Sequence, residues 1–172
     1  IVDMLQNKVE FIGLASRGEP LACKDIDAML DYTNNKFLGL KINTNASLLT
    51  EKKCHSILSG GVSTLVFSVD AAESELYSKL RVNGKLEVVL KNIKRFKDIK
   101  EKNYPDSKII TRVSGVKVSD DQDFDSMQQM WGSLVDQVAF VNYNPWENNY
   151  LTPPNDITEP CSDLWRRMFV WW

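Results

Sequence analysis

Short apolar segments alternate with amphipathic segments along this chain of 172 residues. The apolar segments are rich in β-branched residues, which favours strands. We expect five strands, at residues 9–15, 37–42, 63–69, 108–113 and 137–142. Gly115 is expected to interrupt the fourth strand, with a second extended piece at residues 116–118.

The segments between these strands repeat their apolar residues at helical spacing. The predicted helices cover residues 24–32, 50–58, 73–80, 86–100 and 123–131. Strands that alternate with helices in this way predict parallel βα units joined by right-handed crossovers. The sequence therefore predicts an α/β fold, and both an open doubly wound sheet and a partial barrel fit the pattern.

The carboxyl end of every predicted strand carries polar residues. They are Gly18 and Glu19, Asn43 and Asn45, Ser68 and Asp70, Arg112 and Ser114, and Asn142 and Asn144. Ligands bind beyond the carboxyl ends of the strands in both candidate architectures. A single Asn or Ser is more often a helix cap or a turn residue, but five polar strand ends together indicate a binding edge.

The loop Gly18-Glu19-Pro20 comes after the first strand. Glycine lets the backbone approach a small ligand, and the Glu19 carboxylate can accept hydrogen bonds from a cationic group. Pro20 adds rigidity, because its ring fixes its own φ. An ordinary turn with a solvated glutamate is the alternative interpretation of this tripeptide.

Ser68 and Asp70 end the third strand with their side chains on the same side, because strand side chains alternate. Arg81 follows, just before Asn83-Gly84. It could be a solvated helix end, or it could return to the site and pair with a carboxylate.

Composition narrows the functional classes. The net charge of −2 at pH 7 gives no basic excess, so we expect no nucleic-acid partner. The lysine-rich residues 91–102 are interpreted as a solvated helix face. With no long apolar run and no leader pattern, we expect a cytoplasmic protein without a membrane partner. His55, the single histidine, is expected to be a surface or packing residue.

Three motifs, in their order and spacing, resemble the radical S-adenosylmethionine superfamily. Gly18-Glu19-Pro20 resembles the end of its Gly-Gly-Glu motif, with Arg17 in place of the first glycine. Thr44-Asn45-Ala46 is similar to its Thr-Asn-Gly stretch, with Ala46 in place of glycine. Ser68-Val69-Asp70, with Tyr77 and Arg81 downstream, resembles its Ser-x-Asp segment. The resemblance implies a partial (βα)6 TIM-like barrel, of which about five βα units are present.

The tail extends this resemblance. Residues 160–165, Pro-Cys-Ser-Asp-Leu-Trp, resemble the start of the SPASM extension, which holds auxiliary iron–sulfur clusters. The resemblance implies a core barrel at residues 1–150, incomplete at its N-terminus, and a linker with the start of the SPASM region at residues 151–172. It also implies that Cys161 is a metal ligand, the alternative being a free thiol at a domain edge. Cys23 and Cys54 are expected to pack in helices.

The family's Cys-x3-Cys-x2-Cys loop is absent from the sequence. We interpret this as truncation upstream of Ile1, so we expect a longer parent chain and an inactive fragment. Three thiolates are needed for the radical-generating [4Fe–4S] cluster.

The resemblance implies that the parent enzyme binds S-adenosylmethionine and a [4Fe–4S] cluster. It would then generate a 5′-deoxyadenosyl radical that abstracts hydrogen from a peptide, sugar or small metabolite, with an electron donor such as flavodoxin or ferredoxin. Gly18 and Glu19 suit the cofactor's amino group, Ser68 and Arg81 its carboxylate, and Asn45 or Asp70 its ribose. The alternative is a non-catalytic binding or scaffold module derived from the same fold.

Overall fold

Five parallel strands form one open sheet in the computed structural model, which describes residues 1–15 and 18–143. They are β1 (Phe11–Leu14), β2 (Gly39–Thr44), β3 (Thr64–Ser68), β4 (Ile110–Lys117) and β5 (Gln137–Asn142). Their order in the sheet is their order in the chain. The predicted α/β fold with parallel strands is confirmed, and Ile1–Asn142 forms one compact unit. The expected boundary at residue 150 and the expected SPASM region at 151–172 lie outside the described residues.

Six α-helices accompany the sheet within the described part of the chain. They are α1 (Val2–Leu5), α2 (Ile26–Thr33), α3 (Glu51–Ser59), α4 (Ser74–Leu80), α5 (Leu86–Asn103) and α6 (Phe124–Trp131). All five predicted helices are confirmed, with ends that move by a few residues. Thr50 caps α3 as its side chain accepts a hydrogen bond from the Lys53 backbone N–H.

The two faces of the sheet differ in what covers them. Leu40, Ile42, Leu65 and Phe67 belong to one core with the apolar residues of the helices. For example, the Phe67 ring packs edge-on against Phe96 of α5, with 6.1 Å between the ring centroids. Burying a phenylalanine side chain of this kind stabilises the fold by about 2 kcal/mol. This one-sided core follows from consecutive right-handed βα units, which place their helices on the same face.

The opposite face of the sheet, which we call the open face, includes Lys41, Asn43, Val66, Ser68 and Arg112. These residues alternate along their strands with the core residues, as β geometry requires. Val66 is buried at 4% exposure yet lies outside the helix-packed core. The open face is therefore lined by side chains that the core does not use.

The expected break at Gly115 is wrong, because β4 continues from Ile110 to Lys117. A Cβ at Gly115 would lie 2.8 Å from the Val69 carbonyl oxygen and 3.0 Å from the Phe140 ring. Glycine is thus required here by close packing rather than by a turn. As a result, Arg112 and Ser114 lie inside a strand and not at its end.

The basic residues of α5 are only partly a solvated face. Lys91, Lys94 and Lys102 are exposed, as expected. Arg95, Lys97 and Lys100 instead donate to the backbone carbonyls of other segments, at Leu49, Ser133 and Ile109 respectively. Of the helices described, none combines the length and the apolar character needed to cross a membrane.

Candidate functional site

Glu19 joins the loop after β1 to the end of β2. Its Oε1 accepts hydrogen bonds from the Leu21 backbone N–H at 3.0 Å and from the Thr44 hydroxyl at 2.6 Å. Its Oε2 accepts the Asn45 backbone N–H at 2.8 Å. All three donors are neutral. The carboxylate therefore fixes two loops without an ion-pair partner among the described residues.

Gly18 and Pro20 give this loop its backbone conformation. Gly18 has a φ of +120°, a conformation that other residues rarely adopt. Pro20 begins the short 3-10 turn Pro20–Ala22, which the Glu19 side chain caps. Ser16 and Arg17, which precede the loop, are outside the described residues.

The loop after β2 contains a left-handed residue. Ala46 has a φ of +60° and is fully buried, at a position where the resembled motif has glycine. Its backbone N–H donates to the Thr44 hydroxyl oxygen at 3.0 Å. From α5, the Asn92 side-chain amide donates to the Ala46 carbonyl at 2.8 Å. The end of β2 is consequently held in one conformation from both sides.

Asp70 and Arg81 form an ion pair beyond the end of β3. Arg81 Nε lies 2.5 Å from Asp70 Oδ2, and the side chains are 35% and 10% exposed. Asp70 Oδ1 accepts the Val116 backbone N–H at 2.9 Å. The chain turns back after Arg81 through Asn83, whose φ is +62°, and the Gly84 N–H donates to the Arg81 carbonyl. Of the two interpretations of Arg81, the return to a carboxylate is the one observed.

Tyr77 of α4 is 2% exposed, and its carbonyl accepts the Arg81 backbone N–H at 2.8 Å. A Cβ at Gly84 would lie 2.8 Å from its ring, so the turn glycine is needed for this contact. Burial raises the pKa of the Tyr77 phenol; the Arg81 guanidinium opposes this rise and the Asp70 carboxylate adds to it. The phenol is therefore neutral near neutral pH.

Gln122 is a residue that the sequence did not single out. It is 4% exposed, and its Nε2 donates to the Asp70 carbonyl at 2.7 Å and to the Val116 carbonyl at 2.8 Å. Its Oε1 accepts the backbone N–H groups of Val118 and Ser119 at 2.7 and 3.0 Å. A glutamine in a loop is usually exposed, so neither composition nor spacing indicated that Gln122 would be buried and would bind four backbone groups.

A cleft of about 470 Å³ lies beside these loops. Its lining includes Asn45 and Ser47 from the loop after β2, and Tyr77, Arg81 and Asn83 around the end of α4. Two predicted site residues, Asn45 and Arg81, are thus brought to one cleft. The Asn45 carboxamide oxygen also accepts from the Ser47 backbone N–H at 2.9 Å.

The remaining predicted site residues lie outside the lining of that cleft. Glu19 reaches it only through its bond to the Asn45 backbone, and Asp70 through its pair with Arg81. Ser68 is the last residue of β3, half-buried, and is the registered partner of Ser114 on β4. Cys161, the expected metal ligand, lies outside the described residues.

Metal-binding side chains do not cluster in the described part of the chain. No group of three or more His, Cys, Asp or Glu residues there could hold a metal ion. Cys54 is buried in α3 as expected, whereas the expected helix packing of Cys23 is wrong, because Cys23 is exposed and lies between the 3-10 turn and α2. Burial raises the pKa of the Cys54 thiol, although Arg95 opposes the shift. His55 contacts the Tyr104 hydroxyl at 2.9 Å, which fits its expected packing role.

A family model described as "Radical SAM superfamily" matches residues 2–130. Mycofactocin maturase MftC of Mycolicibacterium smegmatis is 21% identical over 135 residues, which cover 78% of this chain and 34% of MftC. The chain therefore spans about a third of the length of this curated relative.

Solved structures of SuiB from Streptococcus suis share the fold. The complex with S-adenosylmethionine has a TM-score of 0.62 at 21% identity, over 80% of this chain and 30% of SuiB. The complex with the precursor peptide SuiA has a TM-score of 0.60 at 21% identity, over 78% of this chain and 28% of SuiB.

Proposed function

Because the chain belongs to the radical S-adenosylmethionine superfamily, we propose that it forms the part of an enzyme that holds S-adenosylmethionine at the carboxyl edge of its sheet. The parent enzyme would use this cofactor to abstract hydrogen from a substrate. Among the peptide, sugar and small-metabolite classes, we favour a peptide. The support is the similarity to SuiB, which has been solved with its precursor peptide.

The observation that carries the proposal is the pairing of opposite charges at this edge. Glu19 is an anion held by neutral donors, and Arg81 is a cation that lines the cleft. The methionine end of S-adenosylmethionine carries an ammonium and a carboxylate. In our proposal Gly18, Glu19 and Pro20 receive the ammonium, while Ser68 and Arg81 receive the carboxylate.

The cleft also has a suitable size. Its volume of about 470 Å³ lies within the range of small-molecule sites. Asn45 lines it and Asp70 adjoins it through Arg81, so we propose that Asn45 or Asp70 binds the ribose hydroxyls. The buried Tyr77 ring supports one wall and remains neutral, which limits its role to packing and orientation.

The [4Fe–4S] cluster of the family does not fit the described residues. Such a cluster needs three thiolates, whereas the described residues include two cysteines, the exposed Cys23 in a loop and the buried Cys54 in α3. We propose that its ligands lie in a part of the protein outside the described residues, and that Cys161 belongs to an auxiliary cluster. An electron donor such as flavodoxin or ferredoxin would supply the reducing electron.

The contribution of this chain is binding and orientation. The chemistry that the bound cofactor supplies in this family is a carbon-centred radical able to take a hydrogen atom. Glu19 and Arg81 would fix the methionine end through charge, and the paired loops behind them would keep both groups in place. No side chain of the edge needs to gain or lose a proton for this role.

The test uses the full-length protein that contains this chain, reconstituted anaerobically with iron and sulfide. We expect the broad visible absorption of an iron–sulfur protein and, after reduction, the release of 5′-deoxyadenosine from S-adenosylmethionine. Full cluster loading without release of 5′-deoxyadenosine would contradict the proposal and support the scaffold alternative.

A further inference from the structure

Two polar atoms on the open face of the sheet are buried without a hydrogen-bond partner among the residues that the structure describes. They are Oδ1 of Asn43 on β2 and Nε of Arg112 on β4. Buried polar groups in native proteins are nearly always paired, because an unpaired one loses its water without compensation. Such atoms therefore need an explanation, and a bound ligand is one.

Strand register places the two side chains in one row of the sheet. Asn43 is opposite Val66, and Val66 is opposite Arg112. Neighbouring strands are separated by about 4.8 Å, so the two Cα atoms are separated by about 10 Å across Val66. The row consists of a hydrogen-bond acceptor at Asn43, an apolar side chain at Val66 and a cationic donor at Arg112. One substrate residue could span it.

The charge of the open face indicates what it would bind. Among the described strand residues on this face, Lys41 and Arg112 are charged and none is acidic. Asp70 lies beyond the end of β3 and is already paired with Arg81. An unpaired guanidinium N–H on a basic face matches a carboxylate better than any neutral group.

The row also lies next to the proposed cofactor edge. Arg112 is two residues before Ser114, and Ser114 is in register with Ser68 at the end of β3. Two residues of a strand span about 7 Å. A group bound by the row would thus lie immediately below the level of Ser68.

We propose that Arg112 and Asn43 form a subsite for a carboxylate of the peptide substrate. The Arg112 Nε–H donates to the carboxylate, and Asn43 Oδ1 accepts an N–H of the same substrate residue. The carboxylate belongs either to an acidic side chain or to a peptide C-terminus. This inference rests on the proposed function for the identity of the ligand as substrate.

The test observes the arginine Nε–H groups of the full-length protein by nitrogen-15 NMR. The resonance of Arg112 is assigned by its loss in Arg112→Lys. N-acetyl-glutamate α-amide offers a side-chain carboxylate, N-acetyl-alanine a terminal carboxylate, and N-acetyl-glutamine α-amide neither. We expect the Arg112 resonance to shift with at least one carboxylate probe, with an affinity about tenfold or more above that for the neutral amide. The carboxylate that binds more tightly identifies the source.

Arg95 provides an internal control, because its Nε is also buried without a partner among the described residues but lies on α5. Its resonance should stay unchanged. In Asn43→Asp, the added negative charge should suppress the carboxylate response, with circular dichroism checking the fold. No shift of Arg112, an equal shift with the neutral amide, or a parallel shift of Arg95 would overturn the inference.

Titrating the same samples with S-adenosylmethionine separates the two proposals. If S-adenosylmethionine binds but the carboxylate probes leave the Arg112 resonance unchanged, the subsite alone is overturned. If the carboxylate probes shift the Arg112 resonance but S-adenosylmethionine does not bind, the carboxylate site is supported and the proposed function is overturned.

Discussion

Glu19 and Asp70 both hold loops together at the carboxyl edge of the sheet, but the charge of their partners differs. Glu19 accepts from two backbone N–H groups and one hydroxyl. Asp70 accepts from one backbone N–H and from the Arg81 guanidinium. The first cluster keeps a net negative charge, whereas the second is neutral as a pair.

This difference separates two ways in which a carboxylate can serve a binding site. A carboxylate that neutral donors fix in place still attracts a cation, so the Glu19 cluster suits an ammonium group. The Asp70–Arg81 pair instead presents a guanidinium whose direction is set by Asp70. Such a guanidinium is ready to bind a carboxylate. In our proposal the edge therefore orients a zwitterion.

The largest effect is expected for Glu19→Ala, which leaves three donors of two loops without their acceptor. We expect a loss of about 3 kcal/mol in the free energy of unfolding, measured by chemical denaturation. Glu10→Ala is the matched control, because Glu10 is exposed at the residue before β1. Equal losses in the two variants would show that the Glu19 cluster does not hold the loops.

Gln122→Ala should be the next most damaging change, since it removes the four hydrogen bonds from the Gln122 side chain to backbone groups of Asp70, Val116, Val118 and Ser119. We expect about 2 kcal/mol of destabilisation from the orphaned backbone groups. Gln129→Ala, at an exposed position of α6, should change stability by less than about 0.5 kcal/mol. A Gln122 variant as stable as its control would remove this residue from the scaffold of the site.

A double-mutant cycle with Asp70→Asn and Arg81→Gln measures the coupling that distinguishes the Asp70 cluster from that of Glu19. We expect a coupling of about 1 kcal/mol, since the pair is partly buried. The exposed pair Glu75–Lys79 gives the reference cycle and should show a smaller coupling. If the reference coupling were as large, the Asp70–Arg81 pair would be an ordinary surface contact.

The smallest effect is expected for Asp136, a third carboxylate, which lies at the opposite end of the sheet. Burial opposes its ionisation, but hydrogen bonds from the Thr111 backbone N–H and hydroxyl, together with the Lys100 ammonium, outweigh burial and lower the pKa of Asp136. Asp136→Asn should cost less than about 1 kcal/mol at neutral pH.

The sign of the pH dependence follows from the lowered pKa of Asp136. Its contribution is present above the ordinary value of 3.8 and is lost as the pH falls through the lower pKa of the folded state. Urea unfolding of the wild type and of Asp136→Asn at a series of pH values measures it. A stability difference that grows at acidic pH would show that the carboxyl has a raised pKa.

The periodicity of the sequence was sufficient to predict the strands and the helices, because the buried side of each βα unit is made by apolar residues at regular spacing. The error at Gly115 arose because glycine breaks a strand in one context and permits close packing in another. Only the position of the Val69 carbonyl and the Phe140 ring distinguishes the two cases. Those contacts join residues that are distant in the chain.

The candidate site also contains residues that the sequence could identify and residues that depend on contacts between distant segments. Glu19 and Arg81 belong to short motifs that could be identified, whereas Gln122 acts through four bonds to backbone groups of other segments. Likewise, no local pattern indicates that Asn43 and Arg112 share a row of the sheet, since that depends on the register of three strands. Residue type and spacing predict what a loop carries, and register decides which loops and strands act together.

In our proposal Glu19 and Arg81 hold opposite ends of a zwitterionic cofactor. The direct measurement is equilibrium binding of S-adenosylmethionine to the full-length protein and to Glu19→Gln, Arg81→Gln and His55→Ala, with thermal unfolding as a check on folding. Each of the first two variants should bind about tenfold more weakly, from the loss of one charge-assisted interaction. His55→Ala should bind as the wild type does. Equal affinity in all four folded proteins would contradict the account.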